Sequence, residues 1–206
     1  MKQQIIILIV LIGFWSCSSP QKVEVNKPTN ESKVEQPKKE EDIEEEVEVR
    51  RPFSGPKYQN DSEYFRAVES GESENLTFSS EKALLITKRK ISANIQSLIK
   101  SVSDRYAQER QVSDRNQFKE KVENLTREVV EQKLSHINVI GEKTYKNKKT
   151  KIYKTWVAIE IPKQELKKEI ANKMEDKFTA DEKKEMDYDK EKFEETFDKE
   201  LEKQKN

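Results

Sequence analysis

The sequence predicts an α+β domain, and three observations predict it. Apolar residues recur at helical spacing through two long segments before residue 135. The period then switches to two β-rich runs, HINVIGEKTY and KIYKTWVAIEI, around a polar turn. Beyond Pro162 the helical period returns in a strongly charged stretch. The expected architecture is a short N-terminal strand, two long helices on a small antiparallel sheet with a β-hairpin, and charged C-terminal helices. A disordered N-terminal tether precedes them.

The chain of 206 residues has 40 basic and 40 acidic side chains, with 33% hydrophobic and 39% charged residues. Such a composition supports one modest core with charged extensions. The net charge of zero gives no ground for expecting nucleic-acid binding. The charge is uneven, with net −3 over residues 18–51, +5 over 52–162 and −3 over 163–206. Cys17 is the only cysteine, which excludes an intrachain disulfide and a multi-cysteine metal site.

Four domain-level segments are expected. Residues 1–16 read as a lipoprotein signal peptide. Lys2 supplies the positive charge, and Ile5 to Trp15 is an apolar run of eleven residues, about half of what a membrane-spanning helix needs. Leu-Ile-Gly-Phe-Trp-Ser-Cys resembles a bacterial lipobox, with Ser16 as the small residue before the cut and Cys17 as the lipidated residue. Cleavage between Ser16 and Cys17 would leave a diacylglyceryl cysteine, and two or more acyl chains hold a protein stably at a membrane. Ser18 stands where aspartate acts as an inner-membrane retention signal in some bacteria, so the outer membrane is expected. Residues 17–57 read as a charged tether, with Pro20, Pro28, Pro37, Pro52 and Pro56 and seven acids in the ten positions from Glu40 to Val49. As a flexible coil this segment would span roughly 35–40 Å. Residues 58–162 form the α+β domain, and 163–206 form a charged helical extension.

Within the domain, Tyr64 to Glu69 reads as a short strand ended by Gly71 and the polar residues around it. Ser79 reads as the N-cap of the first helix, whose face carries Ala83, Leu84, Ile91, Ile95, Leu98, Ile99, Val102 and Tyr106. A second helix starts near Arg115, with Phe118, Val122, Leu125, Val129 and Val130 on its apolar face. His136 is expected to begin the next strand. The hairpin turn centres on Lys146 to Lys149, and its register stays open. A two- or four-residue loop pairs Ile137, Val139 and Tyr145 with the Ile152, Trp156, Ala158 face, and an odd loop pairs them with the Tyr153, Val157, Ile159 face. Pro162 opens a helix carrying Leu166, Ile170, Met174 and Phe178. Thr179 and Glu182 fit a capping box, and Asp189 fits an N-cap with a Tyr188–Phe193 staple. The last stripe, Phe193, Phe197 and Leu201, must dock on this domain, a second copy or a partner, and it suggests packing between copies.

Tyr64-Phe65-Arg66-Ala67, then Gly71-Glu72-Ser73, then a helix with Ala83 and Lys88-Arg89-Lys90-Ile91, resemble the opening of the LPP-twenty lipoprotein family. Ile137-Asn-Val-Ile-Gly141 and Lys154-Thr-Trp-Val-Ala-Ile-Glu-Ile-Pro162 resemble later pieces of the same family, and the closing Asp187-Tyr-Asp-Lys-Glu-Lys-Phe193 with Phe197 resembles the tail of versions from the Bacteroidetes group. The likeness covers about residues 60–201. It implies an outer-membrane lipoprotein with a small α+β domain.

No motif points to catalysis. His136 is the only histidine, no nucleophile-elbow motif is present, and the four glycines form no phosphate-binding loop. Asp181, Asp187 and Asp189 do not fit an EF-hand loop, so no metal and no cofactor are expected. The best local feature is basic. Lys146, Lys148, Lys149, Lys151 and Lys154 lie within nine residues, beside Tyr145, Tyr153 and Trp156. They suit an anionic lipid, a cell-wall polymer or an acidic protein surface, or they protect an edge hairpin from pairing. The expected role is a lipid-anchored envelope module, structural or binding. The alternative is a surface-exposed adhesin or antigen contacting host or matrix components. Expected partners are the membrane, through the N-terminal lipid, and envelope proteins or a second copy.

Overall fold

A computed structural model describes residues 49–203. The expected signal peptide, the expected cleavage point between Ser16 and Cys17, the expected lipidation at Cys17 and most of the expected tether lie outside the described residues. Among the described residues the elements are β1 (Tyr64–Ser73), α1 (Leu76–Glu109), α2 (Arg115–Ser135), β2 (Asn138–Lys146), β3 (Tyr153–Pro162), α3 (Lys163–Lys177), α4 (Ala180–Glu185) and α5 (Lys190–Lys203), with a 3-10 turn at Pro56–Tyr58. The α+β expectation holds: five helices pack with a three-stranded antiparallel sheet of order β1-β3-β2.

β3 is the central strand and pairs with β1 along its whole length, from Tyr64 opposite Pro162 to Ser73 opposite Tyr153. Alternation puts Phe65, Ala67, Thr155, Val157, Ile159 and Ile161 on the face covered by α1, where all are buried. The first strand runs four residues past the expected end at Glu69, because Gly71 continues it rather than stopping it. A Cβ at Gly71 would lie 2.5 Å from the Ala83 amide nitrogen and 2.7 Å from the Ser79 carbonyl oxygen. Only a residue without a side chain lets α1 sit this close to the sheet.

That close approach also moves the helix start. The N-cap is Asn75, whose side chain accepts from the Phe78 N–H at 3.2 Å, one turn before the expected Ser79. Ser79 is fully buried instead, and its hydroxyl meets Thr155 Oγ1 at 2.6 Å, which in turn meets Thr144 Oγ1 at 2.9 Å. The hydroxyls satisfy one another where α1 touches the sheet.

With 34 residues, α1 is about 51 Å long. Its first half covers the sheet, and its second half meets α2 and α5. α2 begins at Arg115 as expected, capped by Asp114, and buries Phe118, Val122, Leu125, Val129 and Val130. The Thr179–Glu182 capping box is present, and Asp189 caps α5 through the Lys192 N–H at 3.0 Å. Tyr188 and Phe193 face each other with ring centres 6.4 Å apart, as a staple requires.

Residues 163–203, expected as an extension, supply Leu166, Ile170, Met174, Phe178, Phe193, Phe197 and Leu201 to the same core as α1 and α2. The α5 stripe therefore docks on α1 and α3 within its own chain, which removes the ground for expecting it to pack between copies. Tyr106 fastens α5 in place. Its ring stacks on Phe118 at 5.2 Å, and its hydroxyl donates to the Asp187 carbonyl at 3.0 Å while accepting from the Asp189 N–H at 2.8 Å. Burial pushes the phenol pKa up to about 12. The described residues, 49–203, belong to one unit whose core closes on its own residues.

Candidate functional site

The hairpin register follows neither expected alternative. A bulge between Val139 and Gly141 shifts the pairing, so Val139 lies opposite Ile159 while Tyr145 lies opposite Lys154. Val139 thus belongs to the α1 side of the sheet, and Tyr145 to the outer side with Gly141 and Lys143. The loop is six residues, 147–152. Asn147 organises it: its side-chain oxygen accepts from the Lys149 and Thr150 N–H groups at 2.9 and 3.1 Å, and its backbone pairs with Lys151 and Ile152. Lys151 takes the left-handed conformation, φ 63°, that closes such a turn.

The five predicted lysines come to one end of the sheet but not to one face. Lys146 closes β2 on the α1 side, where its Nζ donates to the Tyr153 hydroxyl at 2.8 Å. Lys154 lies on the outer side, 5.6 Å over the Trp156 ring and 2.8 Å from Glu72. Hydrogen bonding from this ammonium and its charge lower the Glu72 carboxyl below its ordinary value. Lys148, Lys149 and Lys151 occupy the loop, exposed and without an ion pair among the described residues. The sequence reading missed Lys143, which lies opposite Trp156 and 5.4 Å over the Tyr145 ring. Its place follows from the six-residue loop, which sets Lys146 opposite Tyr153 and so Lys143 opposite Trp156. An open hollow of about 470 Å³ beside the hairpin is lined by Glu72, Tyr145, Lys146, Asn147, Thr150, Ile152 and Lys154.

The entering chain covers part of the outer sheet face around Gly141 and Arg66. Phe53 lies over Gly141, 2.7 Å from where a Cβ would be, and packs edge-on against Tyr58 at 4.9 Å. Arg66 clamps this segment down, bonding Asp61 at 2.5 Å, Glu160 at 3.0 Å and the Gln59 carbonyl at 2.9 Å. Burial alone raises the Asp61 carboxyl, but hydrogen bonds from Arg66 and from the Tyr64 and Glu63 amides outweigh it and hold the pKa at about 2.

His136 is not the start of a strand. It is the C-cap of α2, because β2 begins at Asn138. Its Nδ1 lies 2.8 Å from Ser135 Oγ, which is also 2.6 Å from the Gln132 carbonyl. A carbonyl only accepts, so the serine proton goes there and the imidazole donates to Oγ. This arrangement is the reverse of a base activating a serine. Among the described residues, no group of three or more His, Cys, Asp or Glu is placed to hold a metal ion, and no helix is long and apolar enough to cross a membrane. Compared with known proteins, the chain matches no family model, no curated protein and no solved structure.

Proposed function

We propose that this protein is a lipid-anchored bacterial envelope protein whose α+β domain is a non-catalytic binding or structural module, of the kind found in the LPP-twenty lipoproteins its sequence resembles. The observation that carries the reading is the uncharged run from Ile5 to Trp15 closing on Ser16 and the only cysteine, Cys17. The anchoring membrane in this reading is the outer membrane. The hairpin end, with its unpaired loop lysines, is the module's contact surface for an anionic partner.

Mass spectrometry of the mature N-terminus tests the anchor. A peptide beginning at acylated Cys17 is expected, and an unmodified N-terminus elsewhere overturns the reading. Protease treatment of intact cells separates an envelope-facing module from an adhesin, since an adhesin must be cleaved from outside.

A further inference from the structure

We propose that the hairpin end of the domain is a membrane-docking surface for anionic phospholipid headgroups, giving the anchored protein a second attachment to the bilayer that holds its lipid. The inference rests on the lipid-anchored reading for its setting, and on four observations for its chemistry.

First, residues 143–154 carry six lysines and no acid. Edge protection accounts for Lys143 and Lys146, which belong to the edge strand β2. It does not account for Lys148, Lys149 and Lys151, which lie beyond the last paired residues, Lys146 and Tyr153.

Second, these charges do not secure the fold. In the helical part, several lysines are tied to acids, as in Lys133 with Glu165 and Glu169, Lys167 with Asp198 and Lys173 with Glu128. The three loop lysines have no such partner among the described residues, while Asn147 holds their backbone in shape.

Third, large apolar side chains are exposed at the same end. Ser73 pairs with Tyr153 at the last rung before the loop, and α1 starts three residues after Ser73. Its first turn exposes Leu76 by 50% and Phe78 by 62%, and Tyr145 on the hairpin is 45% exposed. Exposed apolar and aromatic groups at the end that carries the loop lysines match an interface with apolar chains below and anionic headgroups above.

Fourth, the lysines surround the hairpin. Lys146 and Lys154 lie on opposite faces with the loop lysines between them. That suits a tip entering a layer of headgroups more than a polymer lying along one face.

The test uses the unlipidated chain from Ser18 onward, so that binding is read without the anchor. Vesicles of phosphatidylglycerol with phosphatidylcholine are compared with vesicles of phosphatidylcholine alone. Binding to the anionic vesicles only is expected, falling as salt rises. At roughly 5-fold per lysine near such a surface, combined Lys148→Gln, Lys149→Gln and Lys151→Gln should weaken it by on the order of 100-fold. Phe78→Ser should weaken it separately, with far-UV circular dichroism unchanged. The same charge removed from exposed α3 and α4 positions, by Lys168→Gln, Lys177→Gln and Lys184→Gln, should change it by no more than several-fold. Absence of binding to anionic vesicles overturns the proposal. So does an equal loss in the two triple variants, or binding to a soluble anionic cell-wall polymer and not to vesicles. Because no lipid anchor is present in this assay, its failure leaves the Cys17 reading standing, and an unmodified Cys17 leaves the vesicle result standing.

Discussion

Replacing Gly71 by alanine tests the contact on which the sheet–helix packing depends. The added methyl would sit 2.5, 2.7 and 2.9 Å from backbone atoms of Ala83, Ser79 and Lys82, none of which can rotate away. Ordinary contact begins near 3.4 Å, so α1 must lift from β1 by most of an ångström. That displacement stretches the 2.6 Å Ser79–Thr155 bond beyond hydrogen-bonding range. Overpacking costs about 1–3 kcal/mol, and the lost buried hydroxyl pair adds about 1 kcal/mol. A total of about 2–4 kcal/mol corresponds to a fall in Tm of roughly 5–15 °C for a domain of this size. Gly55→Ala is the matched control. Nothing lies within 4 Å of its Cβ position, and its φ of −72° suits alanine, so stability should be unchanged or slightly raised. Thermal and urea unfolding followed by circular dichroism read both variants. Equal midpoints for the two would refute the close-approach argument.

Three further outcomes are expected. Tyr106→Phe leaves the Asp189 N–H without its partner and the Asp187 carbonyl with only the 3.4 Å bond from Arg110 Nε, and should cost about 1–3 kcal/mol in urea unfolding, with the ring stack kept. Phe197→Ala removes a fully buried ring from the α1–α3–α5 packing and should cost about 3–5 kcal/mol, while sedimentation shows no change in association state. Asp61 is held at about 2, below its ordinary 3.8, so its contribution is complete above that ordinary value and is lost as pH falls toward 2. The shift corresponds to about 2.4 kcal/mol, which solvent screening reduces to about 1 kcal/mol because the side chain is 44% exposed. Asp61→Asn should therefore flatten the acid limb of a stability–pH profile by about that amount.

What the sequence made legible was local. The α2 stripe, the Thr179–Glu182 box and the Tyr188–Phe193 staple each depend on residues within one or two turns, and each forms as read. What it hid depended on partners distant in the chain. Gly71 looks like a strand breaker until α1 is seen against it, and Ser79 looks like a cap until Thr155 is seen beside it. The hairpin offered two registers, and the bulge at Ile140 splits the apolar set so that Val139 and Tyr145 face opposite sides. The α5 stripe was equally readable as docked at home or on a second copy, because amphipathicity specifies a buried face and not what buries it. For the hairpin site, the sequence located all five lysines and the three aromatics. It could not sort them between faces, and so it missed Lys143 and the exposed Leu76 and Phe78 that share their end of the sheet.

The distribution of stabilising contacts bears directly on that end. α1 runs from the sheet to α2 and α5, where Tyr106 locks it to α5, and the largest buried side chains lie along this length. β2, by contrast, packs chiefly on β3, and all but two of its residues are exposed. A strand that adds so little burial is costly to keep ordered unless its loop is otherwise held, and Asn147 holds it. Substitutions of loop lysines should therefore leave the unfolding midpoint within the small range typical of exposed positions. Changes at Gly71, Tyr106 or Phe197 should move it, since each lies where α1 meets its neighbours. Stability resides along α1 and charge at the hairpin, which allows the hairpin's chemistry to be altered without unfolding the domain that presents it.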